Sequence, residues 1–524
     1  MSVLAAKASA AIRARLPELF GIDLRTLALF RVMLAGVTAF DLLRRLADVR
    51  DFYTDFGVMP RAWLAQTGES WRLSLHLANG ETWFQSTVIA AQALLALMVL
   101  AGYRTRIAAV LTFVLLGSLH NRNPMILGGG DHLMLCLWFW ALFLPIHARW
   151  SVDAALSTRP PPESDRHLSW ASAALTLQVL YFMLMHIALL LDFKLGHFRW
   201  ASLTALTVLL GNAGWNWAAR RADHGRHLKI YYDEGCGFCL KSCLLMRHFL
   251  ALPRTEVLPA QGSSRASALM QAQYTWVVID GEDVAHTRWN AGVALLRHSL
   301  LFGWTWRLAK LRLWERPGNA VYDWVARHRG ALGVLTAWLL PERAVTFESG
   351  RGAQRTAAAM LFVVLSWNLA SIGALPAAVA EVEAPLIRIL RLDQAWNMFA
   401  VQRDDGWFVV PGKREDGAEV DLLRPNEPLS YAGPEHASVT HETPIRWRTY
   451  RNRIWDPQFA IHRQEYARFL CRDWNLRAAP GQRVLSLKIV YMLERPLPPG
   501  QTPTVEQRVI WRHDCAPPGE APVD

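Results

Sequence analysis

Charge is what this chain has least of. Asp, Glu, Lys and Arg together make up only 19% of its 524 residues, against 52% apolar residues. Its mean hydropathy is positive. That balance is unlike an ordinary soluble enzyme, and the length predicts several domains. Cysteine is scarce too: six residues exclude a fold built on disulfides. Acidic residues (44) are outnumbered by basic ones (56). The excess forms no phosphate-reading stripe. Lys and Arg sit mostly in short loops between apolar runs, as in the positive-inside pattern of membrane proteins. No zinc-finger or helix-turn-helix spacing is present, so nucleic acid is not an expected partner. The N-terminus is a basic, amphipathic lead-in without an A-x-A site, so no cleavable signal peptide is expected. No internal repeat is evident.

What is present in quantity is Trp, 24 residues, which suits the aromatic belts of membrane interfaces. A membrane helix needs roughly 20 mostly apolar residues. Candidate spans are Leu24–Leu43, Trp83–Ala101, Ile107–Leu119, Leu133–Ile146, Leu168–Leu191, Trp200–Ala219 and Thr356–Val379. Ser70–Asn79 reads as an interfacial helix. The basic clusters Arg104/Arg106 and Arg220, Arg221, Arg226 and Lys229 place the N-terminus and the segment after Arg226 inside. Everything after the seventh span is then outside. There Leu392–Asp524 turns polar and carries strand-like pieces, Gly406–Val410, Val420–Leu423 and Val484–Leu493. It predicts a mainly β domain in which Cys471 and Cys515 pair on the oxidising side.

Between the apolar halves stands HLKIYYDEGCGFCLKSCLLMRHFL, residues 227–250. A strand-like run leads through Asp233-Glu234-Gly235 to Cys236 and Cys239, and a helical pattern follows at once. A thiolate at a helix N-terminus meets unpaired N–H groups and the positive end of the helix dipole, which lower its pKa. The second Cys, one turn on, is placed to resolve a mixed disulfide. The bland alternative is an inert structural pair. A metal site is a third reading, because Cys243 extends the motif and His248 is near, but zinc wants four ligands. Asp233 either closes the turn or relays a proton for Cys239. Then TWVVIDGEDVAHTRW predicts a hairpin around Asp280-Gly281, followed by helical runs Ala291–Leu301, Thr305–Leu313 and Val321–Leu339 with Trp- and Arg-rich faces.

Charged residues inside spans are costly and point to function. Arg31 and Asp41 lie on the first span, about 15 Å apart along a helix, too far to pair with each other. His120, Arg122, Asp131 and His132 surround Gly128-Gly129-Gly130; they line either a site or a hydrogen-bonded loop. His186 lies within the fifth span, where a satisfied core His is the plainer reading.

The stretches LALFRVMLAGVTAFDLLRR, DFYTDFGVMPR and SLHNRNPMILGGGDHLMLCLWFWALFLPIHARWSVDAAL resemble the HTTM domain, the bacterial relative of the vitamin K-dependent γ-carboxylase membrane domain. The resemblance covers Leu24–Leu156. It implies a bacterial inner-membrane protein, and through Lys194, Leu195 and Trp200 it implies a base at Lys194. YYDEGCGFC, IDGEDVAHTRWNAGVALLRH and VYDWVARHRGAL resemble the DCC (DUF393) family of thiol-disulfide oxidoreductases, named for an Asp and two Cys, here Asp233, Cys236 and Cys239. LDQAWNMFAVQRDDGWFVVPGKREDGAEVDLL resembles the region that follows these modules in fused proteins.

The expected architecture is therefore a multi-pass α-helical membrane protein with an inserted small α/β (thioredoxin-like) domain and a β-rich C-terminal domain. The expected domains are 1–220 (HTTM-like), 227–335 (DCC-type), 354–380 (a further span) and 390–515 (extracytoplasmic). The leading function is a membrane-anchored protein-disulfide reductase, with Cys236 attacking, Cys239 resolving and Asp233 assisting. The alternatives are a carboxylase-like membrane enzyme and a non-catalytic scaffold. In the membrane half, Lys194, His120, Arg122, Asp131, Arg31 and Asp41 are the candidate site residues. The dithiol needs no cofactor or metal; a quinone would accompany the carboxylase reading. Membrane lipid and a protein disulfide or small thiol are the expected partners.

Overall fold

Where the sequence runs apolar the chain forms helices, but among the described residues only two are long and apolar enough to cross a bilayer. The computed structural model describes residues 17–67, 73–186, 198–223, 227–252, 255–273, 275–393, 405–433, 444–494 and 504–515. The first half is a helical bundle: α1 (Leu24–Ala47), α2 (Thr82–Ala101), α3 (Thr105–Arg122), α4 (Gly129–Ala141), α5 (Trp170–His186), α6 (Phe198–Thr207) and α7 (Asn212–Asp223). Asp23 caps α1 by accepting the Arg25 N–H at 2.7 Å. Two-residue strands, Ile22–Asp23 and Arg166–His167, clip the start of α1 to the loop before α5.

The multi-pass expectation does not hold. Among the described residues only α1 and α2 are long and apolar enough to cross a membrane. The apolar part of α3, Ile107–Leu119, rises about 20 Å, short of a hydrocarbon core of about 30 Å. Helix α4 has 13 residues, and Leu133–Ala141 are buried without a break. Its apolar run is explained by protein neighbours rather than lipid. The stretch Trp200–Ala219 breaks between α6 and α7, and α7 is polar on one side. The seventh candidate starts with Arg351, Gln354 and Arg355 as α14 (Arg351–Ser371), ends before Gly373, and resumes as α15 (Ala377–Leu390). The apolar cores of α1, α3, α4, α5, α6 and α14 merge into one cluster. Ser70–Asn79 contributes only a 3₁₀ turn at Leu75–Leu77 among its described residues.

The middle unit runs β1 (Leu228–Tyr232), α8 (Gly237–Phe249), β2 (Thr255–Pro259), α9 (Ser264–Gln273), β3 (Val277–Ile279), β4 (Ala285–Thr287) and α10 (Arg288–Arg297). The sheet order is β2-β1-β3-β4; β1 and β2 are parallel, and the β3–β4 hairpin is antiparallel. The β1–α8–β2 crossover places α8 over the sheet. Leu228 and Ile230 bury on one face of β1 with Cys243 of α8, Val278 of β3 and Leu295 of α10. Beyond α10 come α11 (Trp306–Ala309), α12 (Arg312–Arg327) and α13 (Arg329–Leu339). The single helix expected over Val321–Leu339 is broken at His328.

The C-terminal unit carries the expected strands and, in addition, helices that the sequence did not announce. A five-stranded antiparallel sheet is formed by β5 (Asp405–Val409), β6 (Pro411–Arg414), β7 (Glu419–Asp421), β8 (Val484–Glu494) and β9 (Val505–Asp514). Two helices, α16 (Ile445–Trp455) and α17 (Arg463–Arg477), lie between β7 and β8 and share the sheet's core. Their Trp- and Arg-rich sequences hide the apolar positions that face inward, Tyr450, Ile454, Tyr466 and Phe469. This unit docks on the far end of α1: Leu42, Phe52, Tyr53 and Met59 belong to its apolar cluster. The middle unit instead touches the near end, where Ala28 and Trp150 pack with Ala251 and Leu300.

Candidate redox site

Strand β1 delivers the chain into a tight turn. The Asp233 carbonyl accepts the Cys236 N–H at 2.9 Å. Cys236 is then the N-cap of α8, with extended backbone, and its Sγ accepts the Cys239 N–H at 3.2 Å. The two cysteines are joined as a disulfide with their Cα atoms 5.2 Å apart. Both are half-buried, and Gly235 and Gly237 beside them are exposed. One sulfur therefore sits where the first N–H groups of a 13-residue helix converge, and the other lies a turn inside.

Asp233 holds the turn. Its Oδ1 accepts the Gln261 Nε2 at 3.1 Å, and Arg329 Nη1 lies 3.8 Å from its Oδ2. Gln261 also accepts the Glu234 N–H at 3.3 Å through Oε1. The side chain of Asp233 thus engages Gln261 and Arg329, and its carbonyl engages Cys236. Gln261 and Arg329, 28 and 96 residues downstream, carried no signal in the sequence. Helix α13 brings Arg329 over α8, where Lys241 Nζ donates to the Thr336 carbonyl at 3.4 Å. Beside Arg329 opens a cleft of about 460 Å³ lined also by Gln273, Arg288, Asp323 and Arg327.

Cys243 is buried in the core, and burial pushes its thiol up to about 12. Burial, then Arg247 and Arg149, pushes His248 down to about 3. Among the described residues no group of three or more His, Cys, Asp or Glu could hold a metal ion.

Of the residues proposed in the first half, Asp41, Asp131 and His120 meet around Arg45, and Arg31 lies apart from them. Arg31 is fully buried and donates to the carbonyls of Ile146, Arg149 and Trp150 at 3.1, 3.1 and 2.7 Å. Asp41 lies at the other end of α1. Arg45 Nε reaches Asp41 at 2.6 Å, and Arg45 Nη2 reaches Asp131 at 2.5 Å. Arg446 of α16 closes on Asp41 at 2.5 Å and on Asp48 at 3.5 Å. His120 Nε2 lies 3.7 Å from Asp131, and burial pushes the ring down to about 3. Arg122 serves backbone, donating to the carbonyls of Met59 at 2.6 Å and Thr54 at 3.2 Å. The Asp41–Arg45 pair, four residues apart, is visible in the sequence; Arg446 is not. Lys194 lies outside the described residues, as does the side chain of His186.

No protein-family model, no curated protein and no solved structure matches this chain.

Proposed function

We propose that the chain is a thiol-disulfide oxidoreductase of the protein-disulfide reductase type, working from Cys236 and Cys239 and held at a membrane. The observation that carries this reading is the placement of Cys236 as the N-cap of α8, in disulfide contact with Cys239 and reachable from solvent. In the dithiol state the Cys236 thiolate attacks a partner disulfide. A mixed disulfide forms and one partner thiolate leaves. The Cys239 thiolate then attacks Cys236 Sγ, the second partner thiolate leaves, and the Cys236–Cys239 bond results. The partner gains two electrons and two protons, and the dithiol loses them. Asp233 acts as a positioning residue, because its contacts hold the turn that presents Cys236. The basic cleft by Arg329 suits a carboxylate-bearing peptide or small thiol approaching the pair.

Two apolar helices, one near the N-terminus, allow a membrane association. Under this reading α1 and α2 form a membrane hairpin. The redox unit, which follows α2 in the chain, lies on the cytoplasmic side of a bacterial inner membrane, beside the start of α1. The packing of the redox unit against Ala28, near the start of α1, supports that assignment.

The test is a trap. The Cys239→Ser chain is incubated with cell extract and with a small peptide disulfide, then resolved without reductant. A long-lived mixed disulfide at Cys236 is expected with Cys239→Ser and none with Cys236→Ser. Equal and weak capture by both variants would leave the pair an inert cross-link.

A further inference from the structure

Helix α12 is built inside out for a helix in water. Its inward face is polar. Asn319 Oδ1 accepts the Trp289 N–H at 3.2 Å, the Tyr322 hydroxyl accepts the Trp276 N–H at 3.1 Å, and Asp323 pairs with Arg288 at 2.7 Å. Gly318 lies on the same face, so close to the Trp289 indole that a Cβ would collide with it. Positions three and four residues apart on the opposite face are apolar and point outward: Trp314, Pro317, Val321 and Trp324. Val321 is 64% exposed. Helix α13 repeats the arrangement. It turns Gly333 and Thr336 toward α8 and leaves Val334 at 75% and Trp338 at 78% exposure. An amphipathic helix on a soluble domain buries its apolar stripe in the core; these two helices do the reverse.

We infer that α11–α13 form a docking surface for an anionic phospholipid bilayer, lying in its headgroup region with the apolar stripe turned into the acyl boundary. Three observations select lipid over a protein partner. Between Trp304 and Leu339 stand five Trp, and six basic residues face only two acidic ones. Trp with Lys and Arg is the composition of interfacial helices, and each basic residue near an anionic surface adds attraction. The exposed cations Arg307, Lys310, Arg312 and Arg316 cluster at the start of this surface, and Arg307 and Lys310 lie over the Trp306 ring. The unit that bears the surface packs against Ala28 near one end of α1, a helix long enough to cross a bilayer. The bilayer surface belongs at that level. The inference stands on this surface and needs no thiol chemistry. Combined with the proposed function, it sets the mouth of the Cys pair beside the membrane, because α13 both faces lipid and pairs Arg329 with Asp233.

The experiment places a nitroxide label at Val321→Cys, at Trp338→Cys or, for reference, at Ala268→Cys on α9. The full chain is labelled with its disulfides intact and reconstituted into phosphatidylcholine bilayers with or without phosphatidylglycerol. Collision with oxygen, which concentrates in lipid, is compared with collision with a water-soluble nickel complex. Labels at 321 and 338 are expected to favour oxygen, and more so with phosphatidylglycerol; the label at 268 should favour nickel. Arg312→Glu with Arg316→Glu should move the 321 label several-fold toward nickel. The inference is overturned if 321 and 338 behave like 268. It is equally overturned if both are shielded from both reagents, as they would be beneath a protein partner or a second copy. Thiol exchange by Cys236 is read separately, so failure here leaves the redox reading standing, and the converse.

Discussion

The molecule carries two disulfides of opposite character. Cys236–Cys239 closes a ring across a sequence separation of 3 at the start of a helix and is half open to solvent. Cys471–Cys515 spans a separation of 44, ties α17 to the end of β9, and is buried at both ends. The same bond does different work in the two places. A short accessible ring constrains the unfolded chain little and exposes its sulfurs to attack. A long buried one constrains the chain strongly and admits no thiolate. The lesson is that burial and loop length, rather than the presence of a bond, separate exchange chemistry from architecture.

The largest expected effect would come from breaking each bond in turn. In the chain-entropy view a loop of roughly 45 residues is worth about 4 kcal/mol, and one of roughly 4 residues about 2 kcal/mol. Replacing Cys471 and Cys515 by Ala should therefore destabilise the C-terminal unit about twice as much as the same change at Cys236 and Cys239 destabilises the redox unit. Hydrogen exchange of the β8–β9 amides and of the β1–β3 amides reports each unit separately. Disulfide reduction should vanish only in the second variant. Lost turnover on removal of the buried pair alone would erase the distinction.

The redox turn could be read from sequence because its information is local. A strand-like run, a turn, two cysteines three apart and a helical pattern fall within residues 227–250, and the backbone follows that order. The first half misled for a physical reason. Apolar runs such as Leu133–Ala141 look alike whether lipid or protein covers them, and here protein does. The helices of the C-terminal unit were hidden in RWRTYRNRIW and its neighbour, where Arg alternates with aromatics and the inward positions are a minority. Contacts across long separations, Arg446 to Asp41 or Arg329 to Asp233, left no trace in spacing.

Those two ion pairs sharpen the comparison at a smaller scale. Arg446 and Asp41 are 8% and 12% exposed, whereas Arg329 and Asp233 are 49% and 36% exposed. Removing one partner of a buried pair strands a charge, at about 3 kcal/mol; removing one from an exposed pair costs below about 1 kcal/mol. Arg446→Met should loosen the C-terminal unit from the end of α1, seen as faster proteolysis within α16. Arg329→Met should leave stability nearly unchanged while raising KM for a carboxylate-bearing disulfide several-fold. Equal stability losses from the two would show that docking of the C-terminal unit does not depend on the buried charges.

The smallest effect separates the two ends of α1 by pH. Burial holds His120 near the C-terminal unit at about 3 and His248 beneath the redox unit at about 3, both below the ordinary 6.5. A base whose pKa is depressed on folding stays neutral in the folded chain and takes up a proton in the unfolded one. Its contribution is complete above pH ~6.5 and is lost as pH falls toward the folded value. Each unit of acidification below ~6.5 therefore costs up to about 1.4 kcal/mol per such histidine. Lowering the pH from 6.5 to 5.5 should lower the amide protection factors, taken against the intrinsic rate at each pH, at both ends of the molecule. His248→Gln should flatten that response in α8 and β1 alone. His120→Gln should flatten it in α3, where the ring faces Asp131. The two responses should be independent, because the histidines lie in separate units with separate charged neighbours. A pH slope that His248→Gln leaves unaltered in α8 would mean that the His248 ring takes up a proton in the folded chain as readily as in the unfolded one.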